Sequence, residues 1–377
     1  MTEAGAASVS PAPPLAAPSP LDQVRAWMEK QQGTGTVFIS NPVSVGYLTG
    51  FLTEPHERLL ALILSRSQAV LVVPSLEEES ALATARGVTV RAWRDGSDPW
   101  QEVAAAFARS GAGRLAVEKG DLRLAAWERL QAIAGAGAPL DVGPQVRAMR
   151  ARKRPDELVR LEQAARITDT VTERIVAAAA AGRSELEMAT EIGLGVAEAG
   201  AQLSFETIVQ SGLNSALPHS RPGAREVRSG ELLLIDFGAA WGGYKADITR
   251  TVVVGRADMR QRAVHETVLR AHDAAVAAVR AGVTAGDVDR AAREVIDAAG
   301  LGEFFIHRTG HGLGLEAHED PSLDPGSDTV LESAMVVTVE PGVYVPGWGG
   351  VRIEDDVVVE EGGCRLLTSA GRGLEHA

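Results

Sequence analysis

Short β-branched runs alternate with segments of helical period from residue 21 to about residue 140. Residues 36–39, 59–64, 69–73 and 88–90 read as strands, and 76–86, 100–109 and 122–133 as helices. That alternation predicts an α/β domain with a largely parallel or mixed sheet. Pro155 suits the first turn of a helix running to about residue 181, and Ser184-Glu-Leu-Glu187 has capping-box spacing for a second one. Beyond Phe205 the pattern changes. Leu232-Leu-Leu-Ile235 runs into Asp236, a Gly242-Gly243 turn leads into an antiparallel strand over 245–254, and helices are predicted over 259–281 and 287–299. The second of these is capped by Thr284, and strands follow over 335–339, 343–345 and 351–359. Helices grouped beside antiparallel strands predict an α+β domain. Between the two patterns lie Arg147, Arg150, Arg152, Lys153 and Arg154, a charge run that reads as a solvated linker and puts the boundary near residue 150. The expected organisation is a Pro/Ala-rich tail over 1–20, an α/β domain over 21–150 and an α+β domain over 151–377.

Composition narrows the class. The chain has 377 residues, 45% hydrophobic, enough for a core in each of two domains at about 100–200 residues per domain. Lys and Arg total 37 against 50 Asp and Glu, and the net charge of −13 disfavours nucleic acid and anionic membrane as partners. A single cysteine, Cys364, excludes an intrachain disulfide and fits a reducing compartment. No apolar run reaches the roughly 20 residues that span a bilayer. The first twenty residues lack the basic start and apolar stretch of a signal peptide, so a cytoplasmic location is expected.

In the second domain five groups stand where a plain fold favours apolar or small residues: Asp236, Asp247, His311, Glu340 and Glu354. Burying four carboxylates costs several kcal/mol each unless they are paired or bound to cations. A site for more than one divalent ion resolves the cost; salt bridges to the many arginines are the structural alternative. Four carboxylates and one imidazole form a hard, oxygen-rich set that favours Mn²⁺, or Co²⁺ or Zn²⁺ with nitrogen help. Two such ions about 3.5–4 Å apart can share a water and acidify it into a hydrolytic nucleophile.

The motifs around these residues carry a resemblance. Asp236-Phe-Gly238, Tyr244-Lys-Ala-Asp247-Ile-Thr-Arg250, Thr309-Gly-His311-Gly-Leu-Gly314, His318-Glu319, Val339-Glu340-Pro-Gly342 and Val351-Arg-Ile-Glu354-Asp355 resemble the pita-bread metallopeptidases. Phe205-Glu-Thr-Ile-Val209, Ser211-Gly-Leu-Asn-Ser-Ala-Leu-Pro-His219 and Gly347-Trp-Gly-Gly-Val-Arg352 are similar to their proline-specific branch, Xaa-Pro dipeptidase (prolidase) and Xaa-Pro aminopeptidase. The segment 41–51 resembles the creatinase-type N-terminal domain of those enzymes.

The resemblance implies a pita-bread, creatinase/aminopeptidase-like catalytic domain preceded by an α/β creatinase-type domain, in a homodimer. It implies hydrolysis of the Xaa-Pro bond of small proline-containing peptides by a hydroxide bridging two divalent ions, with the dipeptidase expected ahead of the aminopeptidase. A methionine aminopeptidase is disfavoured by the extra N-terminal domain, and a non-enzymatic binding protein by the complete ligand set. Asp236, Asp247, His311, Glu340 and Glu354 would hold the metals, with Asp247 and Glu354 bridging. His219 would contact substrate near the scissile bond, His318 would stand beside the carbonyl oxygen, and Glu340 would also shuttle the proton. Arg352 would bind the proline carboxylate or, alternatively, neutralise the acidic cluster. His307 is given a supporting role, and His265, His272 and His376 are expected on helix surfaces or in the tail. Leu213, Ser220 and Ala334 depart from the usual pattern in loops, which leaves length specificity open.

Overall fold

A computed structural model describes residues 18–110, 113–135 and 137–375. Most of the expected tail, residues 1–17, and His376 lie outside the described residues. The chain divides into two compact units between Gln145 and Val146.

The first unit contains α1 (Pro20–Lys30), β1 (Thr34–Ile39), α2 (Pro42–Thr49), β2 (Ala61–Ser65), β3 (Ala69–Pro74), α3 (Glu78–Thr84), β4 (Thr89–Trp93), α4 (Trp100–Phe107), β5 (Arg114–Val117), α5 (Leu124–Ala134) and β6 (Leu140–Asp141). Its six strands form one mixed sheet in the order β4-β3-β2-β1-β5-β6, antiparallel at β1–β2 and β2–β3 and parallel elsewhere. Phe38, Ile63, Val70 and Val72 pack with Val103, Ala106 and Leu130 of α4 and α5. The alternate set, Val37, Ile39, Leu62, Leu64, Leu71 and Val73, is equally buried, so both faces of the sheet are covered. The α/β character is as expected, but α1, α2, β5 and β6 were not foreseen. Six of the eight residues of α2 are buried, which leaves no polar face to betray a helical period. The strands β5 and β6 have only four and two residues. Ser19 accepts from the Asp22 N–H and Pro20 opens α1, so the end of the expected tail is a helix start.

The second unit runs from within α6 (Gly143–Ala151) through α7 (Pro155–Ala177), α8 (Glu185–Glu198), β7 (Gln202–Leu203), β8 (Ile208–Ser211), β9 (Leu232–Phe237), β10 (Ala239–Trp241), β11 (Tyr244–Lys245) and β12 (Ile248–Val253). It continues with α9 (Met259–Ala278), α10 (Ala285–Ala298), β13 (His311–Gly312), β14 (Glu319–Ser322), β15 (Val336–Val339), β16 (Gly342–Val345), β17 (Gly349–Arg352), β18 (Asp355–Glu360) and β19 (Gly363–Leu366). Capping boxes at Ser184 and Thr284 open α8 and α10 as expected. The antiparallel strands β12, β9 and β8 pack on α7 and α8 through Val209, Ile235, Phe237 and Ile248 against Val171, Ile175, Ile192 and Val196. A second core sets Val268, Ala271 and Ala275 of α9 and Val288 and Ala292 of α10 against Val337, Val339, Val351 and Val357.

Three expectations need correction. The strand over 351–359 is two strands, β17 and β18, broken at Ile353-Glu354 because β17 pairs with β16 and β18 with β15. The basic run is no solvated linker: Arg150 bonds Glu316 at 2.5 Å and Glu319 at 2.6 Å, and Lys153 bonds Glu319 at 3.3 Å, both cations being buried. His265 and His272 are buried as well, because they fall on the face of α9 that also buries Val264, Val268 and Ala271.

Candidate functional site

The ends of two strand ladders bring the acids together. In β9 and β12, Asp236 stands opposite Thr249, so Asp247 lies one residue before β12 and near the same end of the ladder. In β15 and β18, Val339 pairs with Asp355. Glu340 and Glu354 are the next residues on each strand and leave the ladder side by side. Backbone bonds pin both: Glu340 N–H donates to Thr309 O at 2.7 Å and Glu354 N–H to Thr249 O at 3.1 Å. His311 enters on β13 between Gly310 and Gly312. A Cβ on either glycine would stand 2.0 Å from Thr338 O or 2.2 Å from Asp320 O, so only glycine lets the flanking backbones close on the imidazole.

These residues and His219, His307, Arg308, His318 and Arg352 line one cavity of about 1050 Å³. Its rim is apolar in part, with exposed Leu217 and Ile306 beside Phe205 and Pro218. All eight residues singled out from the sequence for metal, substrate or proton roles therefore face a common space. His219 and His318 are on its exposed side, Glu340 is half-buried, and Asp236, Asp247, His311, Arg352 and Glu354 are buried.

The acids repel one another. Burial, then the charges of Glu354 and Asp236, lift the Asp247 carboxyl well above its usual range. Burial and the Glu340 and Asp236 charges do the same to Glu354. Burial raises Glu340 to about 7 against the opposing charge of Arg352. Asp236 is raised by burial despite its ion pair with Arg352. His311 Nδ1 stands 3.1 Å from Gly312 O. A carbonyl only accepts, so Nδ1 carries the proton and Nε2 presents a lone pair, 3.4 Å from Glu340 Oε1. Burial and the neighbouring His318 hold that imidazole down to about 3, in its neutral, ligating form.

Divalent cations fit this donor set. Asp236 Oδ1 and Asp247 Oδ1 are buried and have no hydrogen-bond partner among the described residues. Asp247, His311 and Glu354 present ligand atoms that all lie within 4.8 Å of one another. Buried oxygens without donors beside a neutral imidazole are what a hard cation satisfies and what salt bridges here do not. Among the described residues, Arg352 is the one arginine or lysine paired into the cluster: Nη2 donates to Asp236, Nη1 to Tyr344 Oη at 2.7 Å and Nε to Thr249 Oγ1 at 2.9 Å.

Sequence reasoning passed over Tyr344, Thr249 and Asp356. Tyr344 Oη accepts from Arg352 and stands 2.9 Å from His307 Nε2, while His307 Nδ1 is 2.7 Å from Arg308 O. Because that carbonyl fixes the proton on Nδ1, the tyrosine donates onward to Nε2. Thr249 donates to Glu354 Oε2 at 2.6 Å, and Asp356 Oδ2 accepts the Asp247 N–H at 2.9 Å. An aromatic or a threonine inside a strand gives no sequence signal of such a role; only the position of Thr249, two residues after Asp247 on the same strand face, hinted at one.

Known proteins share this architecture. The model of the Creatinase/Prolidase N-terminal domain matches residues 20–152, and that of Metallopeptidase family M24 matches residues 159–361. An Xaa-Pro dipeptidase of Lactobacillus helveticus is 36% identical over 361 residues, covering 94% of this chain and 98% of its own. A solved prolidase of Pyrococcus horikoshii OT3 superposes with a TM-score of 0.88 at 33% identity, over 94% of this chain and 99% of that one. A solved X-Pro aminopeptidase of Thermotoga maritima MSB8 gives a TM-score of 0.85 at 32% identity, over 94% and 98%. With a pita-bread catalytic fold behind a creatinase-type domain, and hydrolytic chemistry to match its acidic cavity, the chain belongs to metallopeptidase family M24.

Proposed function

We propose that the chain is an Xaa-Pro dipeptidase, a prolidase, that uses two divalent cations, Mn²⁺ before Co²⁺ or Zn²⁺. The observation that carries this reading is the convergence of four carboxylates, three of them buried, and one neutral imidazole on a single cavity, with donorless oxygens, in a chain resembling Xaa-Pro dipeptidase along nearly all its length. Asp236, Asp247, His311, Glu340 and Glu354 would hold the cations. Bound there, the ions supply Lewis acidity and a water acidified to a nucleophile near neutral pH.

The protein's own residues do the rest. His318, whose ring centroid lies 4.2 Å from that of His311, donates to the carbonyl oxygen as negative charge develops. His219 on the open side of the cavity orients the scissile peptide. Glu340, half-buried and adjoining His311, carries a proton to the proline nitrogen, which has no hydrogen of its own. Arg352 balances Asp236 and, through Tyr344, fixes His307. The apolar rim at Phe205, Leu217 and Ile306 receives a rigid ring and sheds water from the bond. A homodimer in the cytoplasm completes the reading: among the described residues no helix is long and apolar enough to cross a membrane, and light scattering measures the mass directly.

A second reading, an Xaa-Pro aminopeptidase, is favoured by the Thermotoga structure. The deciding experiment measures Ala-Pro and Ala-Pro-Ala hydrolysis by chelated and Mn²⁺-reloaded protein. Metal-dependent cleavage confined to Ala-Pro is expected. Preference for the tripeptide establishes the aminopeptidase, and no cleavage of either ends the proline-specific reading.

A further inference from the structure

His219 rides on a loop that leaves β8 at Ser211 and closes on α8 where the Leu186 N–H donates to Gly223 O at 3.0 Å. The base of that loop is fastened twice. Glu185, buried at the start of α8, accepts the Ser211 N–H and Oγ–H at 2.8 Å each, Asn214 Nδ2 at 3.0 Å and the Gly223 N–H at 3.3 Å. Ser215 Oγ accepts the Gly350 N–H of β17 at 2.8 Å. The tip is held differently. Gln210, wholly buried on β8, sends Nε2 to Leu217 O and, at 3.1 Å, to Ser220 O. Those two carbonyls flank Pro218-His219. A carbonyl only accepts, so the amide nitrogen must face them, and Oε1 is left without a donor among the described residues. Gln210 stands opposite Leu234 of β9, and Ile208 opposite Asp236. Side chains two apart share a face, so the clamp springs from the sheet face that carries Asp236. Arg221 and Glu206 pair at 2.9 Å beside the tip, but both are exposed, and such pairs hold little. The His219 imidazole makes no hydrogen bond of its own among the described residues, while its charge reaches Asp236 and His318.

We propose that Gln210 is the positioning residue of His219: its amide clamps the backbone on both sides of the histidine and sets the imidazole against the sheet that carries Asp236. The proposal rests on the reading in which His219 orients the scissile peptide, and names what orients His219. An exposed imidazole without a partner of its own is aimed only through its backbone. A buried amide that leaves its oxygen unpaired is a poor device for stability alone, because an unmet acceptor offsets what the made bonds return. It is a good device for geometry, since both carbonyls converge on one nitrogen whose place a strand fixes. Glu185 and Ser215 hold the base of the loop independently, so losing the clamp frees residues 217–220 and leaves the fold intact.

The test uses full-length protein carrying Q210M, which keeps the length of the side chain without its donors, or Q210E, which offers at most one donor to the two carbonyls. Turnover of Ala-Pro by Mn²⁺-reloaded protein should fall roughly 5- to 50-fold in Q210M, in kcat more than in KM, and less in Q210E. Added to H219A, the same Q210M should cost less than about twofold, because the residue it positions is gone. Wild-type turnover in Q210M, or an equal loss in both backgrounds, overturns the assignment. A second arm needs no turnover and stands even if Xaa-Pro hydrolysis fails. Chelated protein is labelled at histidine Cε1 for NMR, and H219A identifies the one signal lost among those of the eight histidines. Q210M should move or broaden that signal alone, with the melting temperature little changed. An unmoved His219 signal overturns the clamp. So does a joint shift of the His265, His272 and His311 signals with a lower melting temperature, which marks a general packing role.

Discussion

Glu354 and Asp355 are neighbours in the chain, both almost wholly buried, and their carboxyls are driven in opposite directions. Asp355 is surrounded by donors, Arg250 Nη2 at 2.8 Å, Thr368 Oγ1 at 2.8 Å and Arg372 Nε at 2.6 Å, and the His272 ring nitrogen Nε2 stands 3.0 Å away. Against its burial, His272, Arg250 and Arg372 hold it far below the usual carboxylate range. Glu354 receives one hydroxyl, from Thr249, and otherwise faces Glu340 and Asp236 across the cavity. One carboxylate is neutralised by the protein and serves the fold. The other is left unneutralised by the protein, a cost of burial that a cation of the proposed metal centre would relieve. The difference separates structure from function more sharply than residue type does.

The largest expected effect comes from exchanging the two losses. Glu354→Gln should reduce metal-dependent turnover by more than the roughly 10- to 100-fold that follows loss of a group supporting a metal ligand, since it removes a proposed ligand itself, while the melting temperature of chelated protein stays level or rises. Asp355→Asn should leave Arg250 buried without its counter-charge and cost about 3–5 kcal/mol of stability, measured by denaturant unfolding. If Glu354→Gln destabilises the chelated protein by as much as Asp355→Asn, the two carboxylates are not different in kind.

Acidity distinguishes them next. Glu340 and Glu354 have raised pKa values in the ion-free fold, so their contribution to stability is lost as pH rises through the folded value, about 7 for Glu340. Chelated protein should therefore melt at higher temperature as pH falls from 8 toward 5. Asp355 has a lowered value, so its contribution is present above about 3.9 and fades below it. Mn²⁺-loaded protein should lack the first limb and keep the second. Differential scanning calorimetry of both forms across pH 3–8 checks the pair, and identical profiles would refute it.

Much of this contrast was legible in the sequence. Asp236 closes the apolar run at 232–235, and Asp247, Glu340 and Glu354 interrupt strand patterns, so the acids that meet in the cavity announced themselves as costs of burial. The buried cations did not. Arg150 and Lys153 read as a solvated run because their partner, Glu319, is 169 and 166 residues away in sequence. His272 read as helix surface because Asp355 arrives from a distant strand. Neutralisation is a tertiary fact: composition shows the charges, and only the fold shows which of them meet.

That buried cluster should give a smaller effect. Lys153→Met would leave Glu319 held by Arg150 alone, beside the His318 that faces the cavity. Stability should fall by about 1–3 kcal/mol. Turnover of Ala-Pro should fall by up to about tenfold through kcat, with metal stoichiometry unchanged; lost metal binding would place the cluster inside the metal site.

The smallest effect tests whether the structural and functional halves are joined. Tyr344 Oη receives Arg352 and faces His307, so its hydroxyl links the counter-ion of Asp236 to the cavity wall. The phenol is buried, which raises it to about 12 and keeps it a donor at any working pH. Tyr344→Phe retains the ring in the β16 strand but leaves one donor on Arg352 and the Nε2 lone pair of His307 unmatched, for about 1–2 kcal/mol of stability. Arg352 still reaches Asp236 and Thr249, so metal affinity should hold within a fewfold. kcat on Ala-Pro should drop by less than about tenfold, with KM little changed, because the ring still packs and only the orientation of His307 relaxes. A fall in metal affinity as large as that from Glu354→Gln would mean that the hydroxyl, and not Asp236 alone, holds Arg352 in the acidic cluster.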